Sequence, residues 1–180
     1  MRISVHAEAD AALAAAAPAG ADARLQAILD TVLDPEIPVL SVTDLGIVRY
    51  ARQAASGQVQ VGVSPTYSGC PATQIIKSSI AAALHLAGFA DVAVIEVLAP
   101  PWTSDWITAS GRRKLHDYGI APPAESVASP RRLLQTALYV ACPRCASTAT
   151  ERLSEFGSTP CKSLYRCTSC LEPFDYFKCI

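Results

Sequence analysis

The chain has 180 residues, with 15 Lys+Arg against 16 Asp+Glu and a formal net charge of -1. Because 51% of the residues are hydrophobic and only 17% are charged, the chain can bury a core, which excludes an intrinsically disordered protein. The balanced charge also excludes a dedicated nucleic-acid-binding protein, since such proteins neutralise phosphates with an excess of Lys and Arg.

Residues 1–20 are rich in Ala and show no sustained period, so they are predicted to form a disordered leader. Their apolar run is shorter than the roughly 18 residues of a membrane span. Glu8 and Asp10 stand where a signal peptide would need a positive segment followed by an apolar one. We therefore predict no membrane segment and a cytoplasmic location, where thiols stay reduced.

Apolar spacing and capping residues predict the elements of the next hundred residues. Helices are predicted over about 25–33, 71–88 and 104–118, and strands over 47–50, 59–63 and 92–98. The first two strands flank Ala55-Ser-Gly57 and should form a hairpin. These elements predict an α/β fold of the two-layer α+β type, with a small three-stranded sheet packed with helices.

The composition changes after a Pro- and Ser-containing stretch, because six of the seven cysteines lie between Cys142 and Cys179. We predict a domain over 21–120, a linker over 121–135 and a cysteine-rich module over 136–180. The module has about 40 residues, too few for a self-sufficient core, so a metal should supply much of its folding free energy.

Cys142-Pro-Arg-Cys145 and Cys167-Thr-Ser-Cys170 carry the strongest chemical signal in the sequence. Two residues between cysteines let both sulfurs reach one ion, and two such knuckles supply the four thiolates that structural Zn prefers. A C-terminal zinc ribbon is the leading prediction. A rubredoxin-like iron or Fe-S centre and a redox thiol pair are the alternatives.

Cys161 and Cys179 are surplus to that four-Cys set. They are interpreted either as small buried side chains or as extra thiols that supplement the metal site. The sequence around Cys161 and Cys179 does not decide between these two interpretations.

Cys70 stands alone between Gly69 and Pro71, at the predicted start of a helix. The unpaired N–H groups and the dipole of a helix start favour a thiolate, which binds soft metals, while burial under the loop is the alternative. The carboxylates of Asp34, Glu36 and Asp44 could bind a metal or cap their loop, and capping is favoured.

Four segments, with a C-terminal tail, resemble known proteins. The segments are 34–38 (Asp-Pro-Glu-Ile-Pro), 42–48 (Val-Thr-Asp-Leu-Gly-Ile-Val), 65–71 (Pro-Thr-Tyr-Ser-Gly-Cys-Pro) and 100–102 (Pro-Pro-Trp). They resemble the domain shared by SufT-type and cytosolic iron-sulfur targeting factors. With the tail segments 156–167 and 172–180, the chain is similar to the D-subunit family of bacterial phenylacetyl-CoA epoxidases, multicomponent oxygenases of phenylacetate catabolism.

The resemblance implies a role in maturing an iron or Fe-S centre, with Cys70 as the cluster-handling thiolate and Asp34, Glu36 and Asp44 nearby. It implies oxygenase and reductase subunits, and iron-sulfur assembly proteins, as partners, and leaves a homodimer open. It also implies an accessory protein and not the oxygenase itself, in keeping with the absence of the usual enzyme motifs. A purely structural interaction subunit and a thiol oxidoreductase that pairs Cys70 with Cys161 or Cys179 are the alternative functions.

Overall fold

The computed structural model describes residues 23–67, 69–123 and 140–178. The predicted leader, most of the predicted linker and Cys179 lie outside these ranges. The chain divides into two compact units between Trp102 and Thr103. Residues 103–121 group with the cysteine-rich module, whereas the boundaries drawn from composition at 120 and 135 stay a prediction.

The first unit is a three-stranded sheet packed with two helices. Its elements are α1 (Ala23–Leu29), β1 (Val48–Gln53), β2 (Val59–Val63), α2 (Ala72–Leu86) and β3 (Val92–Glu96). The strand order is β1-β2-β3, with β1 antiparallel and β3 parallel to β2. The α2 helix makes the crossover between the parallel strands, as a βαβ connection requires. The predicted small sheet packed with helices is confirmed.

One face of the sheet and the facing sides of both helices form the core of this unit. In β2 the side chains of Val59, Val61 and Val63 are buried, because alternate residues of a strand point to the same face. The helices contribute buried Leu25 and Leu29 from α1 and buried Ile76, Ile80 and Leu84 from α2. The hairpin closes at Gly57, whose φ of +89° favours glycine.

The first helix ends four residues earlier than its apolar spacing predicts. It stops at Leu29, and Leu33 instead forms an isolated bridge with Ser41. The N–H of Asp34 donates to the carbonyl of Leu40 at 2.9 Å, so the chain folds back on itself. The prediction of a helix to residue 33 was wrong, because residues 33 and 34 instead pair with residues 40 and 41, where the chain reverses direction.

The second unit joins a helix to a small antiparallel ribbon. Its elements are a 3-10 turn (Ser104–Trp106), α3 (Ala109–Asp117), β4 (Ile120–Ala121), β5 (Thr150–Ser154), β6 (Lys162–Cys167) and β7 (Pro173–Phe177). The strand order is β4-β7-β6-β5, with β4 parallel to β7 and the other pairs antiparallel. The single helix predicted over 104–118 is interrupted, because Thr108 caps a fresh helix start by accepting from the N–H of Gly111 at 2.9 Å.

The ribbon packs around a compact apolar cluster. Its buried members are Ala121, Val140, Cys142, Tyr165, Cys167, Phe174 and Tyr176. Two of the predicted metal ligands therefore belong to the core of the ribbon. In the described part of the chain, no helix is long and apolar enough to cross a membrane.

Candidate functional site

The four cysteines of the two knuckles converge on one point. Their Sγ atoms all lie within 4.8 Å of one another. The Cys142 and Cys170 sulfurs are 3.8 Å apart, and those of Cys145 and Cys167 are 3.6 Å apart. A tetrahedral ion with metal–sulfur bonds of about 2.3 Å needs sulfurs about 3.8 Å apart, so these residues fit a four-coordinate structural metal such as Zn.

The two knuckles are built alike. The N–H of Cys142 donates to the carbonyl of Ser147, and the N–H of Cys167 donates to the carbonyl of Glu172, both at 2.9 Å. A hydrogen bond of 2.8 Å between the hydroxyls of Ser147 and Ser169 links the knuckles directly. These hydrogen bonds fix the two turns that present the sulfurs to one another.

The site is buried on one side and exposed on the other. Cys142 and Cys167 are 1% and 0% exposed, whereas Cys145 and Cys170 face solvent. All four positions are filled by protein sulfurs, so a bound ion keeps no open coordination position for substrate. The geometry is that of a structural metal centre.

When no ion is bound, the neighbouring thiols have divergent pKa values. The backbone N–H of Cys170 is the main cause that lowers the pKa of Cys167 to about 6. The backbone N–H of Ser147 lowers the pKa of Cys145, but neighbouring thiols and burial outweigh it and raise that pKa to about 12. The pKa of Cys170 is raised as well, because burial and two adjacent thiols outweigh the N–H of Glu172. A cation is therefore needed to hold all four sulfurs as thiolates.

The remaining cysteine of the described ribbon lies away from the metal ligands. Cys161 immediately precedes β6 and Cys167 ends it, so six residues of extended chain, about 20 Å, separate them. The Cys161 side chain is buried, and its sulfur lies 3.0 Å from the hydroxyl of Thr159. These contacts favour the interpretation of Cys161 as a small buried side chain. Cys179 lies outside the described residues.

Three loops of the first unit meet at the edge of the sheet where the parallel strands end. The N–H of Ser64 donates to the carbonyl of Ile47 at 2.8 Å, and its hydroxyl donates to the carbonyl of Val97 at 2.7 Å. The indole N–H of buried Trp102 donates to the carbonyl of Leu45 at 3.0 Å. We call this region, residues 42–48, 64–67, 69–71 and 97–102, the Cys70 edge. Three of the four segments that carry the family resemblance in this unit lie in it, whereas segment 34–38 lies in the loop that precedes it.

Cys70 itself is partly exposed and lies two residues before the start of α2. Its N–H donates to the carbonyl of Tyr67 and its carbonyl accepts from the N–H of Thr73, both at 3.2 Å. Gly69 precedes it with a φ of +84° and open space at its α-carbon. No described side chain caps the start of α2. Cys70 thus lies in the turn that leads into α2.

Two of the three acidic residues predicted near Cys70 accept hydrogen bonds from residues of their own loop. The Asp34 carboxylate accepts from the N–H groups of Glu36 and Ile37, at 2.8 and 2.7 Å. The Asp44 carboxylate accepts from both the N–H and the hydroxyl of Ser41, at 3.1 and 2.9 Å. Over the described ranges, only the four ribbon cysteines bring three or more His, Cys, Asp or Glu ligand atoms together. This geometry supports the capping interpretation, and the role of Cys70 stays a prediction.

Two positioning features gave no signal in the sequence. Ser64 looks like any loop serine, yet it joins two loops at the Cys70 edge. In the ribbon, buried Lys162 lies 3.6 Å from a carboxylate oxygen of Asp175, which also accepts from the hydroxyl of Ser158 at 3.0 Å. Nothing in the sequence marks Lys162 as buried, because Lys is usually exposed and its partner Asp175 lies 13 positions further along the chain.

Two family models match the chain, one in each unit. The model described as iron-sulfur cluster assembly protein matches residues 22–96. The model described as PaaD zinc beta ribbon domain matches residues 126–178. The first match covers the Cys70 edge except for residues 97–102, and the second covers the whole four-Cys site.

Two curated relatives match the chain, one over most of its length and one over about half of it. A protein of Escherichia coli strain K12, named as the D subunit of a 1,2-phenylacetyl-CoA epoxidase, is 52% identical over 154 residues, 86% of this chain and 90% of that protein. An Fe-S protein maturation auxiliary factor of Porphyromonas gingivalis is 32% identical over 89 residues, 49% of this chain and 84% of that protein.

Two solved structures align with the chain. The crystal structure of a domain of unknown function, DUF59, from Bacillus anthracis is 22% identical with a TM-score of 0.48, covering 61% of this chain and 97% of that one. The solution structure of a Mycobacterium tuberculosis protein associated with Fe-S complex assembly and repair is 31% identical with a TM-score of 0.33, covering 54% and 84%.

Proposed function

The chain belongs to the family of 1,2-phenylacetyl-CoA epoxidase D subunits, and from this premise we propose that it matures an iron or Fe-S centre of the epoxidase's oxygenase or reductase. In this proposal it is an accessory subunit of cytoplasmic phenylacetate catabolism. Cys70 handles the cluster as cargo, and the metal ribbon docks the recipient.

The observation that carries this proposal is the placement of Cys70. Its thiol is partly exposed at the helix start, on the edge where three loops converge. The carboxyl edge of parallel strands is where α/β folds commonly place ligands. A thiolate there can bind iron, since soft sulfur ligands favour such centres.

A single thiolate suits transfer better than storage. Cys70 supplies one ligand, so a recipient protein or a second copy of the chain must supply the others. Transfer is then a ligand exchange: the bond from iron to the Cys70 sulfur breaks as a bond from iron to a recipient cysteine forms. The oxidation state of the iron does not change, and Cys70 is released as the thiolate.

The experiment compares wild type with Cys70→Ala, Cys70→Ser and the control Gln74→Ala, an exposed residue just past Cys70 in the first turn of α2. Each variant is co-expressed with the epoxidase subunits, and iron and acid-labile sulfide are measured on the anaerobically purified oxygenase and reductase. Both Cys70 variants should lower the metal content of one recipient severalfold, whereas Gln74→Ala should not. Unchanged recipient iron in all variants would contradict the proposal.

A specific observation favours one second function, that of a structural interaction subunit. The Asp34 and Asp44 carboxylates are occupied by loop hydrogen bonds, and the described residues bring no cluster of further ligands to Cys70. Under this function the Cys70 variants keep full recipient iron, while disruption of the ribbon through Cys142→Ala dissociates the complex. The same set of preparations therefore separates the two functions.

A further inference from the structure

The hydrogen bonds of β2, the middle strand of the first sheet, follow a regular alternation. At the start of β2, the N–H of Val59 donates to the carbonyl of Asp91, just before β3, at 2.8 Å. At its end, the carbonyl of Val63 accepts from the N–H of Val97, just after β3, also at 2.8 Å. Successive residues of a middle strand bond to its two neighbours in turn, so the odd-numbered residues of β2 bond to the β3 side. The next residue in this series is at position 65.

The series breaks at Pro65, because proline has no N–H to donate. The acceptor that this N–H would have reached is the carbonyl of Val97. That carbonyl instead accepts from the hydroxyl of buried Ser64 at 2.7 Å. The N–H of Ser64 donates to the carbonyl of Ile47 on the β1 side, as the alternation requires. The hydroxyl therefore takes the place of the N–H that Pro65 lacks.

This hydroxyl anchors the start of the loop that carries Cys70. Ser64 bonds to the chain on both sides of β2, and the loop runs from it toward Cys70. The segment that follows Val97 is fixed as well, because the indole N–H of Trp102 donates to the carbonyl of Leu45. The anchor therefore ties the Cys70 loop to a neighbour that is itself held, which limits where the thiol can lie.

We propose that Ser64 is the positioning residue of Cys70, and that its hydroxyl holds the thiol in the orientation that transfer of iron or a cluster requires. Ser64 acts through the loop and not as a ligand of the cargo. Ligand exchange needs the Cys70 sulfur and the incoming recipient sulfur at the same iron, so a loosely held loop slows it. The inference rests on the proposed function, to which it adds a residue outside the thiol itself.

Five full-length proteins test this role: wild type, Ser64→Ala, Pro65→Ala, the double variant Ser64→Ala/Pro65→Ala, and Cys70→Ala. Recipient iron is measured after co-expression with the epoxidase subunits. The Tm of each purified chain and the rate at which iodoacetamide alkylates Cys70 are measured separately. Ser64→Ala should lower recipient iron severalfold and raise the alkylation rate by about tenfold, the factor that one buried hydrogen bond represents. A thiol that is freed reacts faster but transfers less, whereas a thiol that is merely damaged would lose both.

The double variant should return both readouts to near the wild-type values, because alanine at position 65 restores a backbone N–H beside the Val97 carbonyl. Pro65→Ala alone is the matched control, since it keeps the Ser64 hydroxyl, and it should behave as wild type.

Wild-type iron and alkylation in Ser64→Ala would overturn the positioning role. A double variant as impaired as Ser64→Ala, or a Ser64→Ala chain that does not fold, would overturn it too. Unchanged recipient iron in Cys70→Ala would instead overturn the proposed function, whereas the alkylation rates test Ser64 with no recipient present.

Discussion

Gly157 of the ribbon is a position where one methyl group should cost considerable stability. A β-carbon at Gly157 would lie 2.5 Å from Oδ1 of Asp175 and 3.3 Å from the β-carbon of Lys162. The other carboxylate oxygen of Asp175 is held by Lys162 and by the hydroxyl of Ser158. The variant Gly157→Ala must therefore displace the Asp175 carboxylate from the position in which Lys162 and Ser158 hold it.

The size of the effect follows from the burial of that pair. The side chains of Lys162 and Asp175 are 5% and 21% exposed. Breaking a buried ion pair costs about 3–5 kcal/mol, and overpacking alone costs about 1–3 kcal/mol. Because Asp175 keeps some access to water, we expect Gly157→Ala to destabilise the ribbon by about 2–3 kcal/mol.

The stability of the ribbon is measured by unfolding the protein in urea with a colorimetric chelator that reports released Zn, because the metal ligands lie in the ribbon and not in the first unit. With a slope near 1 kcal/mol per molar urea for a unit of this size, the midpoint should fall by about 2–3 M. Gly57→Ala is the control, since Gly57 has a φ of +89° and no atom within 4 Å of an added β-carbon. It should weaken only the first unit, by about 1 kcal/mol, and leave Zn release unchanged. A Zn-release midpoint for Gly157→Ala equal to that of wild type would refute the reasoning.

Three further predictions concern the two sites. At pH 7 metal binding should release at least two protons, because the raised pKa values of Cys145 and Cys170 keep both thiols protonated. Below the Cys167 pKa of about 6, a further proton should be released. Calorimetry in buffers of different ionisation enthalpy counts the released protons. The apparent affinity should therefore fall as the pH falls. Chelation of the metal should remove hydrogen-exchange protection from the ribbon strands but not from α2. Trp102→Phe should destabilise the first unit by about 1–3 kcal/mol in thermal melts, since it leaves the buried carbonyl of Leu45 unsatisfied, whereas an unchanged Tm would show that water replaces the indole.

The sequence predicts best where local chemistry decides the structure. The two Cys-x-x-Cys knuckles dictate a shared site, and β2 alternates apolar residues that face one core. Pro71 at the start of α2 is equally readable, because proline suits a helix start and hinders a helix interior.

Features that depend on distant partners were not predictable. The pairing of Leu33 with Ser41, which ends α1 early, is set by the chain reversal. The two-residue strand Ile120–Ala121 is too short to show an alternating apolar pattern. It forms because it pairs in parallel with β7. The ion pair of Lys162 and Asp175 joins residues 13 positions apart, on neighbouring antiparallel strands.

The unequal burial of the four metal ligands also fixes the direction in which the ion can be exchanged. Cys142 and Cys167 are sealed in the apolar cluster, whereas Cys145 and Cys170 meet solvent. A competing thiol, chelator or oxidant therefore reaches the exposed sulfurs first, and the ion leaves through that side while the sealed pair still holds it. Metal turnover in this ribbon should be stepwise, and a protein seated over the exposed pair would slow it without touching the ion.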